Sequence, residues 1–137
     1  MNKVYVSKKV KFCAAHRLHS LALSDAENKK LYGKCNNLYG HGHNYTLEVT
    51  LVGEIDPVTG MVVNFSEIKR ILNEHIADKF DHKHIDKEVP EFENLVSTAE
   101  NLAVICWQLL EKVILPIKLH RVTLYETDDN VVEYYGE

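Results

Sequence analysis

Two histidines of the segment KCNNLYGHGHNY, residues 34–45, have a spacing that suits a metal ion. His41 and His43 are two residues apart, and in an extended chain such residues project to the same side, so both rings can reach one point. His16, in the segment FCAAHRL, supplies a third ring if the strands that carry these histidines are neighbours. Three neutral imidazoles leave one position of a tetrahedral ion open, as in catalytic zinc sites. The pattern predicts such a site, although spacing does not choose zinc over iron or copper.

Cys35 precedes His41 by six residues and has two candidate roles. As a fourth ligand it would close the metal site and make it structural. The intervening loop, NNLYG, can instead hold the thiol beside the open position of the metal. A nearby cation lowers the pKa of a thiol, which makes the thiolate a usable general base. The pattern leaves both roles open.

Further along the chain, three more side chains are candidates for proton transfer or binding. Asp81 and His82 are adjacent in the polar segment KFDHKHID. An aspartate beside a histidine holds the imidazole tautomer, as in a proton relay; the alternative is a solvated loop. Glu126 lies in the predicted strand VTLYET, where an acid is disfavoured. Its two oxygens match two parallel N–H donors, such as those of a guanine-like or pterin ring; the alternative is a solvent-facing acid.

Strands are predicted at both ends of the chain. Alternating apolar residues indicate a first strand through about Ala15 and a second over residues 45–54. The DPVTG turn at 56–60 predicts a hairpin that returns through MVVNF. The segments LHRVTLYET and VVEYYG predict two final strands, joined by a turn at 128–130.

Helices are predicted between these strands. Ser24 followed by Glu27 indicates a capping box that opens a short helix, which Gly33 would end. Apolar stripes predict two longer helices, one after Ser66 and one after Thr98. Glu100 then favours the N-terminus of the second long helix, which is closed by Pro116.

The order of elements predicts an α+β fold: a four-stranded antiparallel sheet with two helices on one face. The helices need a surface on which to bury their single apolar stripes, and the sheet provides it. The outer strands would remain unpaired edges. An oligomer that continues the sheet across subunits would remove these edges.

Length and composition exclude several classes of protein. The 137 residues, 45% hydrophobic and 26% charged, suit one folded domain over residues 1–137. No segment approaches the roughly 18 apolar residues of a membrane span. A net charge of -4 gives no electrostatic attraction to nucleic acid. Three cysteines without close pairing favour a reducing compartment, so we expect a cytoplasmic protein.

Six segments together resemble one enzyme family. They are FCAAHRL, GKCNNLYGHGHNY, GEIDPVTGMVVNF, FDHKHID, VSTAENLA and VTLYETDDN. Each motif alone is modest, but in this order they resemble the 6-pyruvoyl-tetrahydropterin synthase family over nearly the whole chain.

The resemblance implies roles for the candidate residues. His16, His41 and His43 match the family's zinc ligands, Cys35 matches its catalytic base, and Asp81 with His82 matches its proton-relay pair. Glu126 matches the carboxylate that anchors the pterin ring, and the segment with Thr98 and Glu100 matches neighbouring substrate contacts.

The resemblance also implies an assembly and a reaction. Three subunits of this tunnelling fold close a twelve-stranded barrel, and two trimers stack into a homohexamer with active sites between subunits. The implied reaction converts 7,8-dihydroneopterin triphosphate to 6-pyruvoyl-tetrahydropterin in tetrahydrobiopterin biosynthesis, with elimination of triphosphate. Zn²⁺ is the implied cofactor, one per subunit, and Mg²⁺ would accompany the triphosphate.

Two departures from the family pattern are visible. Ala99 follows Thr98, where animal enzymes of the family carry a second threonine, so one polar contact is expected to be missing. Leu38 and Tyr39 fill the loop between Cys35 and His41 differently, which would change how the thiol is presented.

Alternative functions come from different classes. The 6-carboxy-tetrahydropterin synthases of queuosine biosynthesis share the substrate, but that branch resembles Cys-x3-His, whereas five residues separate Cys35 from His41 here. A cupin oxygenase is suggested by His41 and His43 with Glu48, but two long helices do not suit a jelly roll. The remaining alternatives are a non-catalytic zinc- or pterin-binding module and hydrogen-bonded histidines without a metal.

Overall fold

The two longest strands form a continuous antiparallel pair in the computed structural model, which describes residues 2–137. Strand β1 spans Lys3–His16 and strand β2 spans His41–Glu54. They pair along their whole length, from Lys3 opposite Glu54 to His16 opposite His41. Alternate residues are buried in the second half of β1 and from Tyr45 to Val49 in β2, which is the pattern of a sheet with one face packed on a core, while residues 49–52 of β2 are all buried.

Three further strands complete a mixed sheet. They are β3 (Lys83–His84), β4 (Lys118–Tyr125) and β5 (Val131–Tyr134). The order across the five-stranded sheet is β3-β1-β2-β4-β5. Strand β3 runs parallel to β1, whereas the other neighbours are antiparallel.

Five α-helical segments lie between the strands. They are α1 (Asp25–Tyr32), α2 (Phe65–Leu72), α3 (Asp78–Phe80), α4 (Ile85–Glu88) and α5 (Ala99–Glu111). A π-helical turn, Asn73–Ala77, joins α2 to α3. Two 3₁₀ turns, Gly33–Asn36 and Pro90–Phe92, follow α1 and α4.

Two of the three predicted helix starts are confirmed. The capping box of Ser24 and Glu27 is present at α1, and Gly33 caps its C-terminus with a φ of 57°. The Thr98 side chain accepts a hydrogen bond from the Asn101 N–H at the start of α5.

The hydrophobic core lies between the helices and one face of the sheet. The predicted helix stripes are buried there, with Leu72 and Ile76 from the first stripe and Leu102 and Cys106 from the second each at most 1% exposed. They pack against alternate residues of the strands, namely Phe12, Tyr45, Leu47, Val122 and Leu124. This packing confirms the α+β class.

Three details of the predicted secondary structure are wrong. None of residues 61–64 is in a strand, and residues 62 and 63 form bends. After the turn only one pairing bond forms, from the Asp56 N–H to the Met61 carbonyl, before Asn64 begins α2. Asn64, not Ser66, is the N-cap, and its side chain accepts the Ser66 N–H at 2.9 Å. The sheet has five strands rather than four, because β3 is too short to leave a periodic pattern.

None of the helices in residues 2–137 is long and apolar enough to cross a membrane.

Candidate active site

The strand register brings the three predicted metal ligands onto one face. His16, the last residue of β1, lies opposite His41, the first residue of β2, and Ala14 lies opposite His43. His16 shares its face with the buried residues Phe12 and Ala14, because alternate residues of a strand point the same way. The three histidines therefore extend the core face of the sheet to its end.

The three rings converge at this end of the sheet. Each ring packs edge-to-face against the other two, with centroid distances of 4.6 Å for His16 and His41, 5.1 Å for His16 and His43, and 4.9 Å for His41 and His43. One ligand nitrogen from each residue lies within 4.8 Å of the other two.

The closest pair of nitrogens has the separation that a metal ion requires. The Nε2 atoms of His16 and His41 are 3.1 Å apart. Two nitrogens bound to a tetrahedral zinc ion at about 2.0–2.1 Å would be separated by roughly 3.3 Å. The three ligand nitrogens therefore form a group that could hold one divalent ion.

The buried side of the cluster is held by a backbone carbonyl. His16 Nδ1 donates a hydrogen bond to the Ser97 carbonyl at 2.6 Å, so its proton is on Nδ1 and Nε2 carries a lone pair toward the other rings. A ligand histidine oriented by a carbonyl through its second nitrogen is typical of metal sites. In residues 2–137, the buried Nδ1 of His41 has no hydrogen-bond partner.

Burial favours the neutral form of two of these rings. Desolvation is the main cause that lowers the pKa of His16, and the neighbouring His41 lowers it further. Desolvation and then His43 lower the pKa of His41. Neutral imidazole is the form that binds a metal ion.

Glu126 lies beside the histidines. It directly follows β4, and its Oε2 and Oε1 are each 4.0 Å from a ring nitrogen, Nε2 of His16 and Nε2 of His43 respectively. Its side chain is 18% exposed, so one side of the carboxylate remains open. The sequence marked Glu126 as a candidate binding carboxylate but did not indicate its closeness to the histidines, which depends on the long-range pairing of β4 with β2.

Cys35 lies outside the group of ligand atoms. Among residues 2–137, the metal-binding group contains the three histidines and not this thiol. Cys35 is half-buried in the Gly33–Asn36 turn. Its carbonyl accepts the Leu18 N–H at 2.9 Å, and Asn36 Nδ2 donates to the Leu18 carbonyl at 2.8 Å. These bonds fasten the turn to the segment that follows His16.

Asp81 and His82 form a hydrogen-bonded pair. His82 Nδ1 is 2.8 Å from Asp81 Oδ2, and Asp81 Oδ1 accepts the Cys13 N–H at 2.8 Å. The Cys13 N–H and then the His82 side chain hold the pKa of Asp81 below its ordinary value. His82 has a φ of 60°, and its side chain is 84% exposed. Cys13 precedes His16 by three residues, which is about 10 Å along the strand.

Thr98 and Glu100 stand at the start of α5. Thr98 caps the helix, while Glu100 is exposed in the first turn. The preceding residue, Ser97, is the partner of His16. This segment therefore adjoins the histidine cluster, through a carbonyl that no sequence pattern could reveal.

Two other residues of the site escaped the sequence analysis. Tyr45 was predicted only as part of the second strand, but its buried ring packs against His43 at a centroid distance of 5.5 Å. Its alternation with His41 and His43 was a usable signal. Gly40 has a φ of 80°, and a Cβ there would lie 2.8 Å from the His16 carbonyl oxygen. The chain therefore needs glycine immediately before His41.

These features define a class of protein, an α+β fold whose sheet carries three histidines able to hold a metal ion. The model of a family described as 6-pyruvoyl tetrahydropterin synthase matches residues 5–137. The chain therefore belongs to the 6-pyruvoyl tetrahydropterin synthase family and is an enzyme of that family, which confirms the resemblance inferred from its motifs.

Individual relatives agree with this assignment. The chain is 54% identical to a 6-pyruvoyl tetrahydrobiopterin synthase of Poecilia reticulata, covering 97% of this chain and 90% of the relative. It is 53% identical to the Homo sapiens protein of the same name, covering 96% and 91%. The solved structure of Caenorhabditis elegans 6-pyruvoyl tetrahydropterin synthase superposes with a TM-score of 0.94 at 44% identity, covering 100% of this chain and 98% of that one.

Proposed function

We propose that this enzyme converts 7,8-dihydroneopterin triphosphate to 6-pyruvoyl-tetrahydropterin, with elimination of triphosphate, in tetrahydrobiopterin biosynthesis. The names of its relatives support the biosynthetic role. The observation that carries the proposal is the convergence of three ligand nitrogens within 4.8 Å at the end of the sheet. The reaction removes a proton from a carbon that neighbours oxygen, and a cation site is suited to such chemistry.

His16, His41 and His43 would hold the ion, which we propose is Zn²⁺, one per subunit. Their ring nitrogens form an all-imidazole donor set, and burial favours the neutral form of His16 and His41. A zinc ion in this position supplies a Lewis acid that makes a C–H bond beside a substrate oxygen more acidic. Mg²⁺ would enter with the triphosphate group rather than at a site of its own.

Cys35 is proposed as the general base. Its thiolate would take a proton from a carbon of the substrate side chain. The fastening of its turn to Leu18, two residues after His16, supports this role because it fixes the thiol-bearing segment close to the histidines. A position outside the ligand group leaves the sulfur free to accept a proton.

Asp81 and His82 are proposed to return a proton as triphosphate leaves. Asp81 accepts one hydrogen bond from the Cys13 backbone and another from the His82 ring, so the carboxylate stays ionised and orients the imidazole. The 84% exposure of His82 supports its use at a site completed by a neighbouring subunit.

Glu126, Thr98 and Glu100 are proposed to bind the substrate. A carboxylate accepts N–H or O–H donors, and the two oxygens of Glu126 face the same region as the histidine nitrogens. The resemblance assigns this carboxylate to the pterin ring. Thr98 and Glu100 would contribute polar contacts from the start of α5, and Ala99 would contribute none.

We propose a homohexamer, a dimer of trimers with a barrel formed by the sheets of each trimer. The open edges of the sheet support this assembly. Strand β3 pairs only with Ala14 and Ala15, so most of the outer edge of β1 has no neighbour within residues 2–137. Strand β5 forms the opposite edge of the sheet. An unpaired strand edge is a ready template for pairing with another chain. Sedimentation analysis should show a particle of six chains.

The proposed reaction can be tested directly with purified enzyme and dihydroneopterin triphosphate. The expected products are inorganic triphosphate and 6-pyruvoyl-tetrahydropterin. A strong chelator should abolish both, and added zinc should restore them. Release of acetaldehyde with a 6-carboxy product would instead identify the queuosine-pathway reaction, and absence of turnover by the zinc-loaded enzyme would contradict the proposal.

A further inference from the structure

A cleft lined by positive charge lies beside the turn that carries Cys35. It has a volume of about 780 Å³ and is lined by Arg17, Lys29, Lys34, Asn36 and Asn37, among others. We infer that this cationic cleft binds the triphosphate group of the substrate, an inference that rests on the function proposed above. A volume of this order is typical of small-molecule sites, which span about 300–1,000 Å³.

The charge of the cleft has one sign. Within the described residues, its lining includes one arginine and two lysines but no aspartate or glutamate. The whole chain carries a net charge of -4, so this concentration of cations is not the consequence of a generally basic surface. A cleft lined by one sign of charge attracts ligands of the opposite sign.

The three cations are available to a ligand. In residues 2–137, no carboxylate lies within ion-pair distance of any of them. Arg17 uses its Nε to donate to the Asn36 carbonyl at 2.9 Å, which leaves its terminal nitrogens free. A guanidinium held in this way presents a planar pair of donors to phosphate oxygens, and lysines add point charges.

The cleft borders the turn that carries the proposed base, Cys35. Arg17 directly follows His16, and Lys34 and Asn36 are the chain neighbours of Cys35. A substrate whose side chain lies between the histidines and Cys35 could therefore extend its triphosphate into the cleft. The leaving group would then depart with its charge already partly neutralised.

Lys29 has a competing structural explanation. It lies in the last turn of α1, where a positive charge stabilises the helix C-terminus. Lys30 lies in the same turn but does not line the cleft. Replacement of Lys30 therefore reproduces the loss of helix stabilisation without the loss of a cleft cation, and it is a matched control.

The test is calorimetric titration of the zinc-loaded enzyme with inorganic triphosphate in excess Mg²⁺, which prevents the anion from stripping zinc. We expect Lys29→Gln combined with Lys34→Gln to weaken triphosphate binding by about tenfold and to reduce its dependence on salt, as for two lost charge contacts. The KM for dihydroneopterin triphosphate should rise by a similar factor. Lys30→Gln should behave as the unchanged enzyme in all three measurements.

The outcomes separate this inference from the proposed function. Equal triphosphate affinity and equal KM in the double variant and in Lys30→Gln would overturn the cleft assignment while leaving the reaction intact. Lysine-dependent triphosphate binding by an enzyme that does not turn over the pterin substrate would support the anion site and refute the proposed reaction. Thermal unfolding should be the same for the double variant and the control, because these lysines are exposed.

Discussion

Replacement of Cys35 by alanine should separate metal binding from catalysis. The thiol lies outside the three-histidine group, so the zinc content and affinity of Cys35→Ala should match those of the unchanged enzyme. General-base catalysis typically contributes about 10²–10⁴ in rate, so kcat should fall by that factor. KM should change little, since the proposed substrate contacts remain.

The structural cost of this substitution should be small. Cys35 is half-buried, and the hydrogen bond from the Leu18 N–H reaches its backbone carbonyl, which alanine retains. We therefore expect the free energy of unfolding to fall by less than about 1 kcal/mol. Urea unfolding of the zinc-loaded protein measures this cost.

Cys13→Ala is the matched control for a lost thiol. Cys13 is exposed, and its contacts with Asp81 and His82 are made by its backbone N–H and carbonyl. Zinc content by atomic emission and single-turnover rates should be unchanged in this variant. Loss of zinc from Cys35→Ala would make the thiol a ligand, and full kcat in this variant would exclude the thiol as the general base.

Three further substitutions test other parts of the structure. Gly40→Ala should weaken zinc binding and destabilise the fold more than Gly60→Ala does. Both glycines have positive φ, but of the two only Gly40 has a backbone oxygen close to the place of an added Cβ, at 2.8 Å. Equal effects of the two substitutions in zinc titration and urea unfolding would contradict this prediction. Leu102→Ala, at a fully buried site, should cost about 2–5 kcal/mol of unfolding free energy without altering zinc stoichiometry. Asp81→Asn should lower turnover and flatten the acid dependence of stability. Because the folded-state pKa of Asp81 lies below its ordinary value of 3.8, the carboxylate stabilises the fold at pH values above 3.8, and this stabilisation is lost as the pH falls through the folded-state pKa. Identical pH profiles of urea unfolding for Asp81→Asn and the unchanged enzyme would contradict this prediction.

Local patterns were sufficient to predict most elements of the fold. The alternation in β1 and β2, the Ser24 capping box and the Thr98 cap depend on residues close in sequence, and each is present. The prediction of a strand over MVVNF was wrong because a turn motif does not reveal how soon after the turn the chain stops pairing with the preceding strand. Here Asn64 starts a helix immediately after the turn.

The site was predictable only in part, because several of its contacts join residues that are far apart in the sequence. His41 and His43 share a face by their spacing alone, but the closeness of His16 depends on the register of β1 with β2. The carbonyl of Ser97 and the carboxylate of Glu126 reach the cluster from elements far along the chain. Such contacts are consequences of packing, and no local periodicity encodes them.

X-ray absorption at the zinc edge can show whether three imidazoles and no thiolate hold one divalent ion. The account predicts one zinc per chain, a nitrogen and oxygen shell at about 2.0–2.1 Å with imidazole scattering beyond it, and no sulfur shell. A sulfur shell at about 2.3 Å, or a protein that retains no zinc, would contradict it.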